Sequence, residues 1–136
     1  MRPSRKQALL SAYGEAERRG IRIITDADPE IAAYMDHAAA RQDISPENMH
    51  AITLGSDTIV IREQYADNVR VLREELIHTQ QQINGLLIGT GGDLITAMEL
   101  EARYRLLQNK DIWALTDEEI DEIEREIAVI TKKGRY

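Results

Sequence analysis

The sequence predicts an α+β fold, with a small sheet of about three strands and four to five helices. Short segments rich in β-branched residues lie in the first half of the chain, at 21–25 and 58–61. Apolar residues recur at helical spacing in the second half, over 69–83 and 116–130. The chain has 136 residues, of which 43% are hydrophobic and 30% charged. These values predict a single folded domain over 1–136.

Two helices and a strand are predicted in the first third of the chain. The first helix begins at Ser4, a suitable N-cap residue, and stops at Gly20. The strand at 21–25 follows it. Pro29, at the start of an alanine-rich segment, predicts a second helix that ends near Asp43.

A β-hairpin and a third helix are predicted next. The residues at 55–57 favour a turn between two β-rich pieces, of which 58–61 is the second strand. The third helix covers 69–83 and ends at Asn84 and Gly85. The apolar face of this helix is predicted to contain Val69, Leu72, Leu76 and Ile83.

Two further helices complete the predicted fold. A glycine-rich loop is expected at 85–93 and a fourth helix at 94–109. Thr116 and Glu119 have the spacing of a capping box, which predicts the start of the last helix. Its apolar stripe contains Ile120, Ile123, Ile127 and Ile130.

Charge and composition exclude several classes of function. The formal net charge of -7 opposes binding to a phosphate backbone, so no nucleic-acid partner is expected. The chain has no cysteine, so any metal must be bound by His, Asp or Glu. No apolar run is long enough for a signal peptide or a membrane span, and a soluble domain is expected.

One short motif indicates metal chemistry. Residues 74–78, Glu-Glu-Leu-Ile-His, differ at one position from the zinc-protease signature H-E-x-x-H. Glu74 and His78 are four residues apart on a helix, so both can reach a common point beside it. Zinc accepts carboxylate oxygen at about the same distance as imidazole nitrogen. Glu74 and His78 are therefore candidate ligands, and Glu75 is the candidate general base for a metal-activated water.

A catalytic site needs a third protein ligand, which the following helix can supply. This helix carries Glu99 and Glu101. Residues two apart on a helix point in different directions, so only one of these carboxylates can be the ligand.

A charged helix face without metal is the competing interpretation. On five residues alone it is the more common one, because exposed helices often carry Glu, Arg and His. The other two histidines, His37 and His50, are interpreted as structural or surface residues.

The longer pattern favours the metal interpretation. The E-E-x-x-H helix is followed by three glutamines at 80–82, a glycine-containing loop, an E-x-E-A helix that ends in Leu-Leu-x-Asn at 106–109, and a helix opened by Thr-x-x-Glu at 116–119. This order resembles the zincin-like metallopeptidase toxin domains found at the C-termini of bacterial polymorphic toxins. The resemblance covers residues 58–130.

The resemblance implies a fold and a set of residue roles. It implies a minimal zincin-like domain, in which the strand 58–61 precedes the active-site helix and a second ligand helix packs across it. By position it implies Glu74, His78 and Glu101 as zinc ligands, with Glu99 in reserve and Glu75 as the base. A ligand set with two carboxylates can also favour another divalent metal.

The sequence thus favours a zinc-dependent, peptidase-like toxin effector that hydrolyses peptide bonds. Its expected partners are a protein or peptide substrate and an immunity protein. A domain of this kind would be exported in a longer toxin and act in the cytoplasm of a target cell. The alternative is a catalytically inactive zincin-like protein or a helical protein-interaction module.

Overall fold

The computed structural model describes residues 3–83 and 92–133, and it confirms the α+β prediction. The helices are α1 (Arg5–Arg18), α2 (Pro29–Arg41), α3 (Val69–Ile83), α4 (Gly92–Gln108) and α5 (Asp117–Lys133). The strands are β1 (Arg22–Thr25), β2 (Ala51–Leu54) and β3 (Thr58–Ile61). Of the loop predicted at 85–93, residues 85–91 lie outside the described residues, and Gly92 begins α4.

Side-chain caps fix the starts of α1 and α5. At α1, the backbone N–H of Gln7 donates to Ser4 Oγ at 3.1 Å, and the Ser4 N–H donates to Gln7 Oε1 at 2.9 Å. At α5, the Glu119 N–H donates to Thr116 Oγ1 and the Thr116 N–H donates to Glu119 Oε1. Each reciprocal pair satisfies backbone donors that have no partner within the helix. The capping box predicted at Thr116 is confirmed.

The sheet has the order β1-β3-β2. β3 is the central strand, parallel to β1 and antiparallel to β2. Gly55, in the turn between β2 and β3, has a φ of 62°, a conformation that glycine adopts at little cost. Because β2 is last in this order, it is an edge strand of the described sheet. The antiparallel pairing of β2 with β3 confirms the predicted hairpin.

Helix α3 lies at the centre of the molecule, because both of its sides are covered. Leu72 and Leu76 pack with Ile59 and Ile61 of β3. On the other side, Ile77 packs in a second cluster with residues of α4 and α5, including the buried Leu106 and Ile123. This packing holds α3 firmly between the sheet and the two C-terminal helices.

The predicted apolar faces of α3 and α5 pack in the core except at Ile83. Val69, Leu72 and Leu76 are buried, but the side chain of Ile83 is 56% exposed. Ile83 is the last residue of α3 and lies outside the core cluster that contains Leu72 and Leu76, so the core does not extend to the end of this face. In α5, Ile123 and Ile130 are buried, and Ile120 and Ile127 pack against the second cluster.

No helix of the described segments has the length and apolarity that a membrane span needs.

Candidate metal centre

A cleft of about 740 Å³ brings the predicted site residues together. Its walls come from β2, α3, α4 and α5, and its lining includes Thr53, Arg70, Glu74, Glu75, His78, Glu99, Arg103, Glu122 and Glu126. The first turn of α3 is fixed by Asn68, whose Oδ1 accepts a hydrogen bond from the Val71 N–H at 3.1 Å. This cap satisfies a backbone donor of the first turn. The packing of Leu72 and Leu76 on β3 leaves Glu74, Glu75 and His78 facing the cleft.

These charged side chains are largely enclosed. The side chains of Glu74, His78 and Glu99 are only 19%, 12% and 16% exposed. Glu75 is buried more deeply still. A solvated helix face would leave such groups in water, so the enclosure needs another explanation. Buried charges are retained in proteins where they are paired or bind an ion.

Glu75 is a buried carboxylate with a raised pKa. Thr53 of the edge strand donates a hydrogen bond from Oγ1 to Glu75 Oε2 at 2.5 Å. Burial raises the pKa of Glu75 to about 7, against the lowering effects of the His78 charge and the Thr53 hydrogen bond. A carboxylate with a pKa near neutral pH exchanges protons readily at that pH, as general-base catalysis requires.

His78 is held between two polar partners. Its Nδ1 lies 2.8 Å from Gln81 Oε1, and its Nε2 lies 3.5 Å from Glu99 Oε1. Burial lowers the pKa of His78, but the charges of Glu75 and Glu99 outweigh burial, and the pKa is raised. The imidazole therefore sits in a strongly anionic environment that favours a positive charge at Nε2, whether a proton or a metal ion.

The structure separates the two candidates for the third ligand. Glu99 faces His78 across the cleft, whereas Glu101 is exposed and accepts a hydrogen bond from Gln81 Nε2 at 2.8 Å. The two residues are two apart on α4 and point in different directions, as their spacing predicts. In this arrangement Glu99, rather than Glu101, lies beside His78.

Two arginines that sequence reasoning missed complete the cleft. Arg103 contacts Glu99 at 2.8 Å and lies 3.9 Å from Glu74. Arg70 lies 3.7 Å from Glu74 and contacts Glu126 of α5 at 2.7 Å. The signal was present in the sequence, since Arg70–Glu74 and Glu99–Arg103 are both i,i+4 pairs on helices.

The donor set fits a divalent cation chemically, although it is not assembled in advance. Within 3–83 and 92–133, no group of three or more His, Asp or Glu side chains is already spaced to hold a metal ion. Glu74 Oε1 is nevertheless buried with no hydrogen-bond partner among the described residues. This oxygen lies 3.7 Å and 3.9 Å from nitrogens of Arg70 and Arg103. The carboxylates of Glu74 and Glu99 and the imidazole of His78 line the same cleft, and they are ligand types that zinc accepts. Arg103 contacts Glu99 Oε2 and lies 3.9 Å from Glu74, so a metal ion and the guanidinium group would compete for the same two carboxylates.

The remaining histidines, His37 and His50, are exposed and do not contribute to the group formed by Glu74, His78 and Glu99. His37 is exposed on α2. His50 is also exposed, stacks on Tyr65 with ring centroids 4.1 Å apart, and lies at the rim of the cleft.

Comparison with protein-family models, curated proteins and solved structures finds no match to this chain.

Proposed function

We propose that this chain is a zinc-dependent, peptidase-like domain that hydrolyses peptide bonds. The observation that carries the proposal is the position of Glu75, a buried carboxylate with a pKa of about 7 beside His78 in a cleft. Burial of a titratable group next to a charge partner in a cleft is typical of a catalytic site. The family resemblance assigns the same residue as the base and implies a toxin effector with an immunity protein as partner.

The proposed ligands are Glu74, His78 and Glu99. Glu101 is the alternative third ligand that the resemblance implies. Bound zinc would supply a Lewis acid that polarises a carbonyl group and lowers the pKa of water. Another divalent metal with a preference for oxygen ligands would suit the same residues.

The residues of the chain would share the remaining work. Glu75 would accept the proton of the attacking water and return it to the leaving amine. Thr53 would hold Glu75 Oε2 in place through its hydrogen bond. The edge strand β2 lines the cleft, and an extended peptide could pair with its free backbone groups in the described part of the sheet.

Metal content and activity together test this function. Purified wild type should bind about one zinc per chain, and His78→Ala and Glu99→Gln should lose it. Glu75→Gln should keep zinc but lose cleavage of fluorescently labelled casein. Glu124→Gln, a change at an exposed carboxylate of α5, is the matched control and should behave as wild type. A wild type that takes up no divalent metal, or a fully active Glu75→Gln variant, would overturn the proposal.

A non-catalytic interaction module is the second candidate. Arg70 and Arg103 already engage the carboxylates of Glu99 and Glu126, which favours a stabilising ion-pair network. In that case Glu75→Gln should leave every binding property unchanged, and zinc should not alter the unfolding temperature.

A further inference from the structure

Gln81 connects the two helices of the candidate metal centre. Its side chain is completely buried, one turn after His78 on α3. The amide nitrogen donates to the backbone carbonyl oxygen of Met98 at 3.0 Å and to Glu101 Oε1 at 2.8 Å. Both acceptors belong to α4, so the amide spans the gap between the helices.

These two bonds fix the orientation of the amide. A glutamine amide has two N–H donors and one carbonyl oxygen. Met98 O and Glu101 Oε1 can only accept, and a reversed amide would set its oxygen against both of them. The amide oxygen must therefore face His78, where it lies 2.8 Å from Nδ1.

The orientation of the amide in turn selects the tautomer of His78. Since Gln81 Oε1 can only accept, His78 Nδ1 must carry the proton. In the neutral imidazole the lone pair then lies on Nε2, the nitrogen 3.5 Å from Glu99 Oε1. A lone pair that faces a carboxylate oxygen repels it unless a proton or a metal ion lies between them.

We propose that Gln81 and Glu101 are positioning residues that hold His78 in the Nδ1–H tautomer, with Nε2 ready to bind metal. Glu101 thus acts through Gln81 and does not itself bind the metal. The use of the Nε2 lone pair rests on the proposed function, whereas the tautomer does not. A simpler role, in which Gln81 only ties α3 to α4, would leave the tautomer of His78 unaffected by Glu101.

The tautomer can be read directly by nitrogen-15 NMR of the imidazole. On the zinc-free protein, at a pH high enough for His78 to be neutral, Nδ1 should give the shift of a protonated nitrogen and Nε2 that of an unprotonated one. Glu101→Leu removes one of the two acceptors that orient the Gln81 amide and leaves the Met98 carbonyl, so the fraction of the Nε2–H tautomer should be higher than in wild type. Glu101→Gln retains an acceptor oxygen, so its Nδ1 and Nε2 shifts should be those of wild type.

Zinc affinity provides the second readout. Loss of an orienting partner of a ligating histidine weakens metal binding by roughly 10–100-fold. We expect a loss of this size for Gln81→Met and a smaller one for Glu101→Leu. Gln80→Met is the matched control, because Gln80 lines a recess with Arg73 and Trp113 on another face of α3. Glu101→Gln should bind zinc as wild type does, whereas Glu99→Gln should not.

The outcomes separate this inference from the proposed function. If the zinc-free protein has the Nδ1–H tautomer but binds no metal, the proposed function fails and the positioning role stands. If zinc binds but Nδ1 is unprotonated, the positioning role fails and the proposed function stands. Loss of zinc in Glu101→Gln with the tautomer unchanged would make Glu101 a ligand and overturn the positioning role.

Discussion

Thr53 and Glu75 join the edge of the sheet to the centre of helix α3. Thr53 Oγ1 donates to Glu75 Oε2 at 2.5 Å and lies 3.3 Å from the backbone oxygen of the same residue. Burial raises the pKa of Glu75 to about 7, while the charge of His78 and this hydrogen bond both favour the ionised carboxylate. This balance makes the protonation of Glu75 sensitive to pH in the neutral range.

The stability of the zinc-free protein should fall as pH rises through neutrality. The pKa of Glu75 is raised from 4.5 to about 7, so the folded state binds a proton more tightly than the unfolded chain does. The resulting stabilisation is complete below pH 4.5 and is lost as pH passes 7. Its full size is on the order of 3 kcal/mol. The raised pKa of His78 acts in the same direction.

Urea unfolding between about pH 5 and pH 8 would measure this effect. Glu75→Gln cannot titrate at this position and should have a much flatter pH dependence, while its amide oxygen can still accept the Thr53 hydrogen bond. An equal pH slope in wild type and Glu75→Gln would show that Glu75 is not the group responsible.

Thr53→Val should raise the pKa of Glu75 further. The substitution removes a hydrogen bond that favours the charged form and leaves desolvation unchanged. An upward shift of about one pKa unit is expected, which corresponds to ~1.4 kcal/mol. Carbon-13 NMR of the Glu75 carboxyl group would measure it. Any activity that needs ionised Glu75 should rise at a correspondingly higher pH.

Thr58→Val is the matched control for this change. Thr58 belongs to β3, and its hydroxyl donates to Asp57 rather than to a group in the cleft. The titration of Glu75 should be the same in Thr58→Val as in wild type. An unchanged pKa in Thr53→Val would contradict the role given to the Thr53 hydroxyl.

Arg103→Met should make the protein depend on zinc for stability. Arg103 contacts Glu99 and Glu126 at 2.8 and 2.9 Å, so its loss leaves poorly solvated carboxylates without a counter-charge. Breaking a buried pair in this way costs about 3 kcal/mol or more. A divalent cation held by Glu74 and Glu99 would replace the lost charge. Zinc should therefore raise the unfolding temperature of Arg103→Met more than that of wild type.

Arg62→Met tests whether this rescue is specific. Arg62 is also a largely buried arginine, but it pairs with Asp26 and Asp36, which lie outside the cleft that contains Glu74 and His78. Its loss should destabilise the zinc-free and zinc-loaded proteins equally. If zinc stabilises Arg103→Met no more than Arg62→Met, Arg103 does not share its carboxylates with a metal.

Local patterns in the sequence predicted the elements but not their assembly. The caps at Ser4 and Thr116, the turn at Gly55 and the helical period of α3 are short-range signals, and the structure agrees with each. The parallel pairing of β1 with β3 joins residues 36 positions apart, such as Arg22 and Thr58, and no local pattern specifies it.

In the candidate site, too, local patterns predicted the residues of one helix but not their assembly with another. The spacing within α3 placed Glu74, Glu75 and His78 on one face, because helical geometry is local. Which carboxylate of α4 faces them depends on the rotation of α4 about its own axis, and that rotation is set by long-range packing. Glu99 and Glu101 could not be distinguished by spacing, and the packing of Ala102 and Leu106 against Ile77 turns Glu99 towards His78.

The orientation of α3 can be tested by two truncations on the same helix. Leu72 is completely buried against the sheet, whereas Ile83 is 56% exposed at the end of the helix. Leu72→Ala should lower the free energy of unfolding by about 2–5 kcal/mol, because it removes buried methyl groups and leaves a cavity. Ile83→Ala should change it by about 0.5 kcal/mol or less. Urea unfolding of the zinc-free proteins would measure both, and similar losses in the two variants would contradict the helical rotation that turns Glu75 and His78 into the cleft.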